Sequence, residues 1–180
     1  ILDCAHWVGE ALTKKHRLSF LMTHRLSVFW LEAMLPVFLM SNLNFSESQV
    51  GMMYMMYSMP GMIMGGILMT QWLKSYPMMS LMLRCIRFQL CLYVVLMLIC
   101  HIAVPPLFLA VFMFVEGCVQ GLLSTLSALW LIGETDSNSP TFCFSVWYGL
   151  SALGRVIVGP VAIIVIQYYG GWSAFAAVGG

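Results

Sequence analysis

A chain of 180 residues that is 61% hydrophobic and only 8% charged is too apolar for a soluble fold, because a soluble domain carries about a quarter charged residues to cover its outside. Lipid is the solvent this composition requires, so the expected fold class is all-α, a polytopic transmembrane helix bundle. A formal net charge of +1 and the lack of any dense Lys/Arg run exclude nucleic acid as a partner.

A spanning helix needs about 20 mainly apolar residues, since the hydrocarbon core is about 30 Å thick and each helical residue rises about 1.5 Å. Residues 1–17 form a basic lead-in with Lys14, Lys15 and Arg17, placed on the cytoplasmic side. Residues 18–40 are apolar but interrupted by His24, Arg25 and Glu32, so the first span is read as short, tilted or interfacial. Residues 50–72 carry no charge. Residues 79–104 carry Arg84 and Arg87 only near their beginning, where long side chains reach back toward headgroups. Residues 106–132 contain the single charge Glu116, and residues 141–166 the single charge Arg155. A sixth apolar run over 172–180 is truncated, so the chain reads as a fragment. Short connections make residues 18–180 one transmembrane bundle rather than several domains.

Orientation follows from the basic residues. Lys14, Lys15, Arg17, Arg25, Lys74, Arg84 and Arg87 lie before the first span or around the second-to-third connection, whereas the connections at 41–49, 101–106 and 167–171 hold none. Cytoplasmic loops retain Lys and Arg, which puts the chain start and the Lys74 turn in the cytoplasm and Asn44 and Pro105 on the other side. The chain is expected to be a multi-pass integral membrane protein, with plasma membrane and vesicle membrane both open. The sequon Asn44-Phe45-Ser46 lies in an outer connection, close to the membrane.

Cys4, Cys85, Cys91, Cys100, Cys118 and Cys143 show no metal-type spacing and read as free thiols. The pairs Met52-Met53, Met55-Met56 and Met78-Met79 read as lipid-facing and packing residues rather than as copper ligands. No metal and no cofactor is therefore expected. Nor is catalysis, because there is no Gly-x-Ser-x-Gly elbow, His-Glu-x-x-His pair, phosphate loop or Cys-x-x-Cys site.

Two glycine pairs, Gly61/Gly65 and Gly117/Gly121, repeat every four residues with Ser58 and Ser124 extending their small faces. Such faces let helices approach closely in lipid, where hydrophobic drive between helices is lacking. Gly154, Gly159 and Pro160 are further packing and bending positions. A polar stripe of Glu116, Gln120, Ser124 and Ser127 lies on one helical face, and Tyr148, Ala152, Arg155 and Gly159 share a face on the next helix. Both faces are expected to look inward. Glu116 and Arg155 fall at equal depth, roughly 15 Å from the outer ends of their helices at 1.5 Å per residue. They are expected to pair, either as part of a solute pathway or as a stitch between two helices. Glu32, Tyr54 and Tyr57 are further cavity candidates, and His101 reads as interfacial.

The hairpin pattern resembles one six-helix half of the major facilitator superfamily. The residues that carry the resemblance are Ser46-Glu47-Ser48-Gln49-Val50-Gly51, then Gly61 and Gly65-Gly66-Ile67-Leu68, then Gly149, Gly154 and Gly159-Pro160, then Tyr169-Gly170-Gly171-Trp172. The resemblance implies alternating-access secondary transport of a small solute, with a coupling proton where the solute path offers a carboxylate, and with a facing half completing the cavity. Departures accompany it. The turn after Gly66 runs Thr70-Gln71-Trp72-Leu73-Lys74 without the family's acid, and four residues rather than three separate Gly154 from Gly159. The basic lead-in and the Glu32 to Pro36 segment resemble the carboxy-terminal half of a vesicular-amine-transporter-like member, with the amino-terminal half as the alternative. The competing functional class is a non-transporting multi-span adaptor or receptor-like protein.

Overall fold

The computed structural model describes residues 30, 32, 35–99, 105–134, 140–169 and 171, and for 134, 140, 142–143, 146–147, 150–151 and 155 it describes the backbone alone. The expectations for residues 1–29, His101 and residues 172–180 lie outside the described residues. All regular structure among the described residues is helical. The first helix, α1, is described over residues 35–41, with further helical positions at Trp30 and Glu32. It is followed by α2 (Glu47–Trp72), α3 (Met78–Ile99), α4 (Pro106–Glu134) and α5 (Pro140–Tyr168). Three helices, Glu47–Trp72, Met78–Ile99 and Pro106–Gly133, are long and apolar enough to cross a membrane.

Local chemistry sets the helix ends. Asn44 adopts a positive φ of 57°, a left-handed conformation that asparagine tolerates better than most residues. Ser46 then caps α2: its Oγ accepts from the Gln49 backbone N–H at 3.3 Å while Gln49 Oε1 accepts from the Ser46 N–H at 2.8 Å. This reciprocal pair satisfies two of the donors that every helix start leaves open. At the other end, Leu73, Ser75 and Tyr76 donate to the carbonyls of Met69 and Trp72, and Pro77 stops the run before α3 begins.

The middle of α2 is not α-helical. Tyr54–Ser58 form one π turn in which the Met59 N–H donates to the Tyr54 carbonyl, five residues back. Pro60 supplies the reason: it has no N–H for the Met56 carbonyl, and its ring crowds the preceding turn of a regular helix. A widened turn just before it relieves both problems.

Glycines weld α2 to α4. A Cβ placed on Gly61 would overlap the Phe114 carbonyl oxygen, and one on Gly65 that of Cys118. Reciprocally, a Cβ on Gly117 would overlap the Ser58 carbonyl oxygen, and one on Gly121 that of Met62. The backbones themselves are in contact. Gly61 and Gly65 meet Phe114 and Cys118, and Ser58 and Met62 meet Gly117 and Gly121, so in each set a step of four along α2 is matched by a step of four in the same direction along α4 and the two helices run parallel. That direction fits a chain in which the helix between them in sequence, α3, runs the opposite way.

Buried side chains from all five helices form one apolar cluster, with Phe38 and Leu39 from α1, Met69 from α2, Leu81 and Tyr93 from α3, Met113 and Leu126 from α4, and Ala162 from α5. The outside is apolar too: Met55, Ile63, Leu107 and Val156 each expose between 66% and 77% of their surface. A chain apolar both inside and out is shaped for hydrocarbon surroundings.

Candidate functional site

The glycine seam delivers a carboxylate into the middle of the bundle. Gly117 lies against the Ser58 carbonyl, so its neighbour Glu116 is drawn into the α2–α4 interface and is only 2% exposed. One turn on, Gln120 Nε2 donates to Glu116 Oε1. The other oxygen, Oε2, is buried without a hydrogen-bond partner. Among the described side chains no cation pairs with Glu116.

Across the seam stand Tyr54 and Ser58, the first and last residues of the π turn. Ser58 is 3% exposed and its hydroxyl lies beside the Glu116 carboxyl. The Tyr54 hydroxyl is buried without a hydrogen-bond partner. Glu32, from α1, is within electrostatic range of both Tyr54 and Glu116. Three helices thus contribute two carboxyls, a phenol, a hydroxyl and an amide to one region. Buried polar groups are ordinarily satisfied by partners, because desolvation without a hydrogen bond costs on the order of 1–3 kcal/mol. A carboxylate oxygen and a phenol left open in one region make a place where a proton or a small cation finds acceptors.

The remaining sequence candidates are placed as follows. Ser124 is half-buried, and Ser127, at 0% exposure, has no partner for its hydroxyl. Tyr57 lies outside the polar region and lines a cleft of about 410 Å³ between α2 and the start of α4, together with Met53, Met56 and Ala110. Arg155 lies on α5, but its side chain is outside the described residues. Gly154 is buried, Gly159 has nothing within 4 Å of an added Cβ, and Pro160 sits exposed within α5.

On α5, Tyr148 is 67% exposed and Ala152 is exposed as well, so the described helices leave this face uncovered. The face of α5 that packs carries Gly154, Val158, Ala162 and Val165. At about 100° per residue, that face is roughly 95° from the one centred on Tyr148. Small and branched aliphatic side chains fit close helix contacts better than a tyrosine.

Ser58 is the site residue that sequence reasoning took only for packing. Pro60 within an apolar helix was the available signal, because a proline there disturbs the turn before it, where Tyr54 and Ser58 lie. Among the described residues no group of three His, Cys, Asp or Glu is arranged to hold a metal ion. Compared with known proteins, the chain matches no family profile, no curated protein and no solved structure.

Proposed function

We propose that this chain is a multi-pass membrane protein forming one half of a major-facilitator-like secondary transporter, and that the Glu116 region lies on the path of a small solute. The observation that carries this reading is the Glu116 Oε2 atom, buried and unpartnered, with the Tyr54 hydroxyl also unpartnered and within electrostatic range. An ionisable group placed in a membrane span is expensive and tends to serve function. A carboxylate there selects for a cationic solute or a coupling proton. The cleft at Tyr57 supports the reading, since Ala110 on its lining is six residues before Glu116, about 9 Å of helical rise. In this reading Arg155 is the counter-charge that Glu116 exchanges for solute, and the facing half completes the cavity.

Substituted-cysteine accessibility tests the path directly. In a cysteine-free background, Tyr54→Cys and Glu116→Cys should react with a small cationic thiosulfonate in intact vesicles, while Leu123→Cys, in the packed core at 1% exposure, should not. Protection of both pathway cysteines from the reagent would leave Glu116 as a static polar link and favour the adaptor reading. In the assembled transporter, Glu116→Gln or Arg155→Ala should lower uptake, and exchanging the two charges should restore folding in part.

A further inference from the structure

We propose that the groove bounded by α2, α3 and α4 beside the turn at residues 73–77 is a binding site for one anionic phospholipid, with the phosphate on Arg84 and an acyl chain along Leu68, Val119 and Leu122. The inference rests on the reading that these helices span a bilayer, and on nothing about transport.

The groove holds about 540 Å³ and is lined by side chains of two kinds. Its depth is apolar, with Leu68 from α2 and Val119 and Leu122 from α4. Its rim carries Trp72, Tyr76 and Arg84. Arg84 follows the start of α3 by six residues, about 9 Å along the helix. Its guanidinium nevertheless lies 4.8 Å from the centre of the Tyr76 ring, in the turn that precedes the helix. The side chain therefore reaches back to the end of the spans, as a long cationic side chain does at a headgroup boundary. Lys74 is exposed in the same turn.

Charge selects the occupant. From Val50 through Val115 the sequence contains no Asp or Glu, and among the described residues no carboxylate pairs with Arg84. Glu134, the acid that ends α4, stands roughly three turns past Leu122. A guanidinium with open donors suits a phosphate. A free phosphate would leave the apolar depth of the groove unfilled, whereas a phospholipid matches both kinds of lining at once. Basic pockets between membrane helices near a headgroup boundary bind anionic lipids on this principle.

The test uses the whole chain in phosphatidylcholine vesicles containing a minor fraction of phosphatidylglycerol, followed by mild detergent extraction and measurement of the lipid that stays with the protein. Retention of the chain in vesicles after alkaline washing checks the membrane reading separately. Phosphatidylglycerol should be enriched about fivefold over its share in the vesicles, the ratio expected from about 1 kcal/mol per basic residue at an anionic surface. Arg84→Gln should bring the ratio to parity, Arg84→Lys should retain part of it, and Val119→Trp should lower retention by filling the groove while leaving Arg84 in place. Excess inorganic phosphate should not displace the lipid. Parity in the parent chain, or enrichment unchanged in both Arg84→Gln and Val119→Trp, overturns the proposal. So does displacement by phosphate alone, or a cross-link through Val119→Cys showing that a second copy fills the groove. Circular dichroism and a single symmetric elution peak establish that each variant is folded before its ratio is read.

Discussion

The glycine pairs of α2 and α4, four positions apart and so on one face of each helix, behave differently from Gly149 and Gly159 on α5, where successive glycines stand five apart. Gly61, Gly65, Gly117 and Gly121 each press against a carbonyl of the opposite helix, whereas Gly149 and Gly159 have nothing within 4 Å of an added Cβ. The first four let two parallel backbones touch and so carry Glu116 into contact with the π turn of α2. The other two leave α5 to pack through Val158, Ala162 and Val165. A glycine pair in a membrane helix becomes an interface only when a second helix presents backbone to it, and only that contact fixes which side chains become buried beside it.

The contrast is broken most severely at the seam. Gly65→Leu or Gly121→Leu should prevent folding, because the obstructing atoms are backbone and cannot swing aside. Gly65→Ala should cost about 1–3 kcal/mol, as overpacking does, even though alanine favours the helix by about 1 kcal/mol. Unfolding in a denaturing detergent titration measures both. A Gly65→Ala chain as stable as its parent would show that the backbones do not touch.

The next effect sharpens the role of the polar region within the seam. Gln120→Leu removes the amide donor to Glu116 Oε1 and leaves only the Ser58 hydroxyl beside the buried carboxyl, which should cost about 1–3 kcal/mol. Combining it with Glu116→Leu should recover most of that loss, since removing both partners of a buried bond is close to neutral. A double-mutant cycle in the same titration gives the coupling, and strictly additive losses would contradict the bond.

Smaller still are the orphaned hydroxyls. Tyr54→Phe and Ser127→Ala each remove a buried oxygen that has no hydrogen-bond partner, so stability should stay within about 0.5 kcal/mol of the parent or rise, because no bond is lost. If Tyr54 serves a solute, Tyr54→Phe changes reactivity at Glu116→Cys while leaving stability in place. The smallest change is expected at Gly149→Ala, where an open site should gain up to about 1 kcal/mol from helix propensity alone. A large loss there would show α5 to be as closely packed as α4.

How far the site was legible can be argued residue by residue. Glu116 and Gln120 stand one turn apart on a helix, so their meeting follows from helical periodicity and one charge in an apolar run. Tyr54 and Glu32 were named as candidates, but nothing local assigned them to the same region as Glu116, because they reach it from two other helices. Ser58 was hidden by its resemblance to a packing residue: a small side chain at a helix contact reads alike whether its hydroxyl or its size is used. Tyr148 shows the converse, an exposed face of α5, since periodicity groups residues on a face without saying which face a neighbour will cover.

Composition and the spacing of apolar runs account for the all-helical class and for three helices long and apolar enough to cross a membrane. Backbone groups in hydrocarbon must be satisfied within their own segment, and long apolar runs broken by short polar turns leave the helix as the solution. Local residues also account for two features of α2 that its hydropathy, read as a span over 50–72, did not mark: the start at Glu47 behind the Ser46 and Gln49 capping pair, and the π turn before Pro60. Tertiary structure alone decided that α2 and α4 run parallel in backbone contact, that Glu116 keeps one oxygen open beside Ser58 and Tyr54, and that a cationic rim closes an apolar groove at Arg84. The reason is physical: each of those features depends on the distance and register between separate helices, set by the mutual fit of whole surfaces, and one helix's residue pattern fixes only its own half of that fit.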